Sequence, residues 1–155
     1  MRSGVRLPIA KPPYGVVSAI DLDKGELKWS VPHGDTPDAV RNNPALAGMN
    51  IPKTGQNGST GVVVTKTLVI TGDPQVTAPP GRPRGAMLRA YDKMDGREVG
   101  AVLLPAAQSG SPMTYKGPDG RQYIVVAVSG GNYSGEYIAF ALPQSATPTT
   151  QPAQR

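Results

Sequence analysis

Ala19-Ile20-Asp21-Leu22-Asp23-Lys24-Gly25-Glu26 and Ala90-Tyr91-Asp92-Lys93-Met94-Asp95-Gly96-Arg97 follow one pattern at a spacing of 71 residues. In each, an apolar stretch runs into an aspartate, a polar turn and a glycine. The aspartate side chain can accept backbone hydrogen bonds inside such a turn, and the glycine can take the positive φ that closes it. Both are scaffold duties, so Asp21 and Asp92 read as turn residues rather than catalytic acids. A weaker third copy begins at Ala139-Phe140-Ala141-Leu142, 49 residues after Ala90.

The segments around these turns are also strand-like. Residues 16–20 and 26–31 flank the first turn, with Trp29 in the second of them. Residues 61–64 and 67–71 are β-branched runs parted by Thr65-Lys66, a composition that favours strands over helix. Residues 87–91 and 97–104 flank the second turn, and residues 112–115, 122–128 and 136–142 repeat the rhythm. A unit of about 50 residues holding four short strands is what a propeller blade looks like. The expected fold class is therefore all-β: a partial β-propeller of about two to three blades of antiparallel strands. It is expected to occupy residues 12–143. Residues 32–58, PHGDTPDAVRNNPALAGMNIPKTGQNG, stretch the first interval and read as a long loop. Loops of that length are uncommon unless functional or disordered. Residues 144–155 lack a core-forming pattern and are expected to be a disordered tail.

Composition narrows the alternatives. Hydrophobic residues are 38% and charged residues 17%, too apolar and too weakly charged for a disordered chain. The 19 glycines and 17 prolines fit short segments broken by turns. With no cysteine there is no disulfide, thiolate ligand or cysteine nucleophile, and one histidine cannot make a multi-histidine metal site. No apolar run approaches the roughly 18 residues that span a membrane. The start, MRSGVRLPIAKPPYG, lacks the apolar stretch of a secretory signal. The net charge of +5 is modest and its basic residues are scattered, apart from a group at Arg82, Arg84, Arg89, Lys93 and Arg97. A nucleic-acid surface needs a coherent basic patch with stacking aromatics, so these charges are expected to be solvated and no nucleic-acid partner is expected.

The pattern AxDxxxGExxW at residues 19–29 resembles the tryptophan-docking motif of quinoproteins that use pyrroloquinoline quinone. The second copy keeps AxDxxxG but has Gly100 where the docking tryptophan would fall. Ser111-Pro112-Met113-Thr114-Tyr115, followed by Asp119-Gly120-Arg121-Gln122-Tyr123-Ile124-Val125-Val126, resembles a segment near the C-terminus of that family. Ser129-Gly130-Gly131-Asn132 and Glu136-Tyr137-Ile138-Ala139-Phe140-Ala141-Leu142-Pro143 resemble its closing strand. The group is the quinoprotein glucose dehydrogenase-like enzymes, with the related alcohol dehydrogenases. The resemblance implies an eight-bladed propeller with the quinone in a central funnel. It implies oxidation of a sugar or alcohol, with an aspartate base, a calcium ion as Lewis acid, and electrons passing to ubiquinone or a cytochrome. It also implies a periplasmic location and upstream blades as partners, in a truncated reading frame, an isolated C-terminal portion or a short relative. An export signal would then lie upstream or be missing.

By the same resemblance the catalytic aspartate and metal ligands belong to earlier blades, so no catalytic or metal-binding residue is expected in this chain. Calcium is expected to be bound by parts of the parent protein absent here. Glu26, Asp38, Asp73 and Glu136 read as isolated surface acids. Gly130-Gly131-Asn132 is the best candidate for cofactor contact. The resemblance places a His or aromatic residue close to the quinone after a paired glycine; Asn132 departs from those side chains, although its amide could hydrogen-bond a quinone oxygen or sugar hydroxyl. Gly131 and Asn132 also fit a plain hairpin turn. Asn57 in Gln56-Asn57-Gly58 matches the family's loop into the next blade, yet Asn-Gly is an ordinary turn signal; Asn50 is weaker. Trp29 reads as a ring docked between blades with a donor that needs a partner. His33, beside Pro32 in a polar loop, is expected to be exposed. The sequons at 57–59 and 132–134 carry no functional weight without the right host. Two other readings stay open: a non-enzymatic propeller scaffold, which would not need the SPMTY-to-GG segment, and a small β-domain that binds a protein or glycan. An open stack of blades exposes edge strands.

Overall fold

The computed structural model describes residues 7–142, so the expected tail at 144–155 lies outside the described residues. Among the described residues nine strands form three antiparallel sheets. β1 (Val16–Asp21) and β2 (Glu26–Pro32) make a hairpin around the first repeat turn. β3 (Val63–Val64), β4 (Leu68–Gly72), β5 (Ala86–Asp92) and β6 (Glu98–Leu104) make a four-stranded meander in chain order. β7 (Met113–Lys116), β8 (Gln122–Gly130) and β9 (Tyr133–Ala141) make the third sheet. The arrangement is mostly antiparallel sheet, consistent with part of a propeller-like fold. Within residues 32–58 lie one α-helical turn, α1 (Asp38–Arg41), and a 3₁₀ turn at Pro44–Leu46 whose Asn43 side chain caps Ala45 N–H.

The four-stranded sheet is covered on both faces. Alternation along β5 sends Ala86, Leu88 and Ala90 to one side, with Ile70 and Leu104. There they meet Ile124, Val126, Val128, Ile138 and Phe140 of the third sheet. The other side carries Val69, Tyr91 and Arg89, and the first hairpin covers it with Val17, Ala19, Trp29 and Val31. A strand buried on both faces shows no simple in–out alternation, and AMLRAYD has none.

The repeat turns behave as their residues require. Asp21 Oδ1 accepts from the backbone of Asp23 and Lys24, and Asp92 Oδ1 accepts from Met94. Gly25 and Gly96 sit at φ +70° and +75°. The first copy's ring docks on the second copy's turn: Trp29 Nε1–H donates to Lys93 O at 3.0 Å. A Cβ built on Gly96 would lie 2.5 Å from Trp29 Cε3. The second glycine therefore serves two purposes, a left-handed turn and room for an aromatic face. Nothing lies within 4 Å of a Cβ on Gly100, so an added side chain would enter open space.

Candidate functional site

In a meander, alternate turns collect at opposite ends of the sheet. The repeat turns share one end with the β3–β4 turn, as the Lys93 N–H to Thr67 O bond records. The other end gathers residues 33–62, the β4–β5 loop at 73–85, the β6–β7 loop at 105–112 and the β8–β9 turn. Backbone bonds stitch these together: Gln108 N–H to Asp73 O, Ser129 N–H to Ala107 O, and Gln108 bridged to Val128. Between the last three loops lies an open hollow of about 840 Å³, with Gln75, Arg84, Gln108, Gly131, Asn132 and Tyr133 in its lining.

Two of the sequence candidates, Gly131 and Asn132, thus share one hollow. Gly130 and Gly131 have φ +126° and +61°, so the hairpin requires glycine there on backbone grounds alone. A Cβ on either would meet nothing within 4 Å, which leaves the turn's backbone accessible from the hollow. The Asn132 side chain has no partner among the described residues. Asn57 lies in a neighbouring hollow of about 430 Å³ with Tyr14, Val40 and Gln75. Gln75 borders both, and its Nε2 donates to Asn57 O at 2.6 Å. Asn57 is therefore adjacent to the Asn132 hollow and outside it. Asn50 lines a separate apolar groove with Leu46 and Met49. Among the described residues no cluster of three His, Asp or Glu side chains is placed to hold a metal ion.

The sequence reading missed an ionic network that runs along one face of the sheet. Arg89, in the middle of β5, pairs through Nε with Asp73 Oδ1 at 2.6 Å and through Nη2 with Asp73 Oδ2 at 2.9 Å. It also reaches Glu98 Oε1 at 2.9 Å and Asp35 Oδ1 at 3.1 Å. Lys53 holds the other Glu98 oxygen at 2.5 Å, and Arg82 holds Asp35. Asp35 and Lys53 belong to the long insertion, and Arg89 and Glu98 to the sheet, so the network ties one to the other. The expectation of a solvated Arg89 and a surface Asp73 is overturned, since they are 3% and 0% exposed. Asp73 extends β4 by one residue and meets Arg89 across the sheet, a pairing invisible in a linear spacing of 16. Asp38 is likewise partnered, by Arg41 at 2.6 Å. Burial lowers the Arg89 pKa, but the Asp73, Asp35 and Glu98 charges outweigh it and raise the net value. Burial pushes Asp35 and Glu98 up, and their cationic partners more than reverse this, holding both below the usual carboxylate values.

His33 is also not exposed: it is buried at 5%. Its Nε2 lies 3.1 Å from Gly72 O and its Nδ1 lies 2.9 Å from the Tyr91 hydroxyl. A carbonyl only accepts, so Nε2 carries the proton and Nδ1 accepts from Tyr91. Burial dominates and lowers the His33 pKa below 6.5. The unfolded chain then binds more protons below pH 6.5, so stability is full above that pH and declines as pH falls through it. Asp35 and Glu98, held below 3.8 and 4.5, lose their contribution only in more acid solution. Because His33 is the chain's one histidine, urea midpoints measured from pH 7 to 5 should fall for the wild type and stay nearly flat for His33→Gln.

Antiparallel strands joined by Asp–Gly turns, with a tryptophan docked from one repeat onto the next, are consistent with part of a propeller-like fold. Residues 1–124 match the family described as PQQ: glucose/ethanol/alcohol dehydrogenase, beta-propeller domain, and the chain belongs to that family. It is 33% identical over 150 residues to the probable quinate dehydrogenase (quinone) of Xanthomonas campestris pv. juglandis, covering 92% of this chain and 18% of the relative. It is 30% identical over 154 residues to the quinate/shikimate dehydrogenase (quinone) of Acinetobacter baylyi, covering 90% and 17%. It is 32% identical over 145 residues to the quinoprotein glucose dehydrogenase of Escherichia coli K12, covering 88% and 16%. The chain thus spans less than a fifth of the length of these relatives.

Proposed function

We propose that this chain supplies part of the propeller of a pyrroloquinoline quinone-dependent dehydrogenase that oxidises a sugar, cyclic polyol or alcohol in the periplasm. Upstream blades are its partners, and a quinone or cytochrome takes the electrons. The observation that carries the reading is the loop end of the stack, where the Gly130-Gly131-Asn132 turn opens beside Arg84 in one hollow. The cofactor is a planar quinone bearing carboxylates, and when bound it supplies the hydride acceptor. The residues present suit such a group as one wall: a free amide on Asn132, a guanidinium on Arg84 and exposed glycine backbone. Asn132 orients a carbonyl or hydroxyl by donating from its amide, the glycines let a flat ring approach the chain, and Asn57 shapes the adjoining wall through Gln75. The docked Trp29 joins the first hairpin to the four-stranded sheet, and the Arg89 network ties residues of the long insertion to it. Catalytic acid and calcium ligands are assigned to other parts of the assembled propeller. Among the relatives' named substrates, quinate carries a carboxylate and glucose does not, a difference that bears on the hollow's chemistry.

Equilibrium dialysis of the full chain against pyrroloquinoline quinone, with and without calcium, tests the reading. Retention that falls on Asn132→Ala is expected. Free passage of the quinone in every condition would remove this chain from the cofactor wall.

A further inference from the structure

We propose that Arg84 is a carboxylate anchor at the mouth of the Asn132 hollow, so that the hollow takes a ligand bearing a carboxylate in preference to a neutral sugar. The inference rests on the proposed reading of that hollow as a ligand-binding wall. Its argument is a comparison of three arginines.

Arg82 and Arg89 are consumed by structure. Arg89 is divided among Asp73, Glu98 and Asp35, and Arg82 is held by Asp35. Arg84 differs. Its side chain is 69% exposed, and its ion-pair partner is Asp38 at the long distance of 3.6 Å. Asp38 has little left to offer, since Oδ1 accepts from Arg41 Nη1 at 2.6 Å and from Ala78 N at 3.0 Å, while Oδ2 lies 3.1 Å from the same Ala78 N. The planar fork of Arg84 therefore keeps most of its five donors unused. Among the described residues it is the one with a charged side chain in the lining of the hollow, whose other polar groups, Gln75, Gln108, Ser129, Asn132 and Tyr133, are neutral. With neutral polar groups around it, the Arg84 guanidinium selects a carboxylate, which it can grip with two parallel bonds. The Asn132 amide, in the same lining, can then bond a hydroxyl or carbonyl of the same ligand. Two sources carry that chemistry here: a polyhydroxy acid substrate and the quinone cofactor's own carboxylates.

The test is titration of the full chain, wild type, Arg84→Gln and Arg84→Lys, with three probes: quinate, glucose and pyrroloquinoline quinone. Exposed as it is, Arg84 can be replaced without touching the core. The expected result is that a carboxylate-bearing probe binds the wild type at least about tenfold more tightly than Arg84→Gln, with Arg84→Lys between them, and that glucose does not distinguish the variants. Sensitivity confined to quinate assigns the anchor to substrate, and sensitivity confined to the quinone assigns it to cofactor. Quinone binding that Arg84→Gln leaves unchanged, with no effect on quinate, overturns the anchor while the wall reading stands. Failure of all three probes to bind the wild type overturns both.

Discussion

Replacing Arg89 with alanine is expected to destabilise the chain by about 3–5 kcal/mol, more than any single replacement of its acidic partners. The asymmetry follows from the charge balance. Arg89 is the cation that touches all three of Asp73, Glu98 and Asp35, and without it the fully buried Asp73 carboxylate has no counter-ion among the described residues. Removing one partner of a buried pair strands the other charge in a poorly solvated site, which costs far more than the pair itself contributes. Asp73→Asn leaves Arg89 with Glu98 and Asp35 and should cost about 1–3 kcal/mol. Arg89→Ala in an Asp73→Asn background should then cost less than in the wild type, a non-additivity expected of groups in one network. The local effect should be larger still. Asp35 and Lys53 fasten the insertion through Arg89 and Glu98, so Arg89→Ala should expose residues 44–52 to limited proteolysis before the sheets unfold. Urea midpoints and a protease time course on the same samples decide it. If Asp73→Asn proves the costlier change, the pairing is not what fastens the insertion.

The network also marks where reading the sequence stops. The turns were legible because each depends on residues a few positions apart: Asp21 with Lys24, Asp92 with Met94, and a glycine closing each hairpin. Strand positions were legible from β-branching, and Trp29 announced a donor that needed an acceptor. Arg89 was not legible. Its partners lie 16, 9 and 54 residues away, and only the folded meander with the insertion packed on it brings them to one face of β5. His33 was misread for the same reason, since polar neighbours in sequence suggested water while Tyr91 and Gly72 cover it in space. In the hollow, the turn that presents Gly131 and Asn132 could be named from its glycines. Arg84 could not be separated from Arg82 and Arg89 until the structure showed which of the three arginines had already been spent on acids.

Trp29→Ala is the other large change, at about 3–5 kcal/mol, because it removes a nearly buried ring from the contact that joins the first hairpin to the four-stranded sheet. The chain contains its own control for how that contact works. Gly25 and Gly96 occupy the same position of the repeat turn, at φ +70° and +75°. A Cβ on Gly25 meets nothing within 4 Å, whereas one on Gly96 meets Trp29 Cε3 at 2.5 Å and Cδ2 at 2.8 Å. Gly25→Ala should therefore show only the left-handed backbone cost, about 1–2 kcal/mol. Gly96→Ala should show that cost and the displacement of the ring as well. Since the indole is anchored at Lys93 O in the same turn, it cannot slide away without losing its hydrogen bond. In a Trp29→Ala background the excess should vanish, and the two glycine replacements should become equal within the roughly 0.5 kcal/mol error of such cycles. Equal costs in the wild type would mean the ring does not rest on Gly96, and the docking of one repeat upon the next would need another cause.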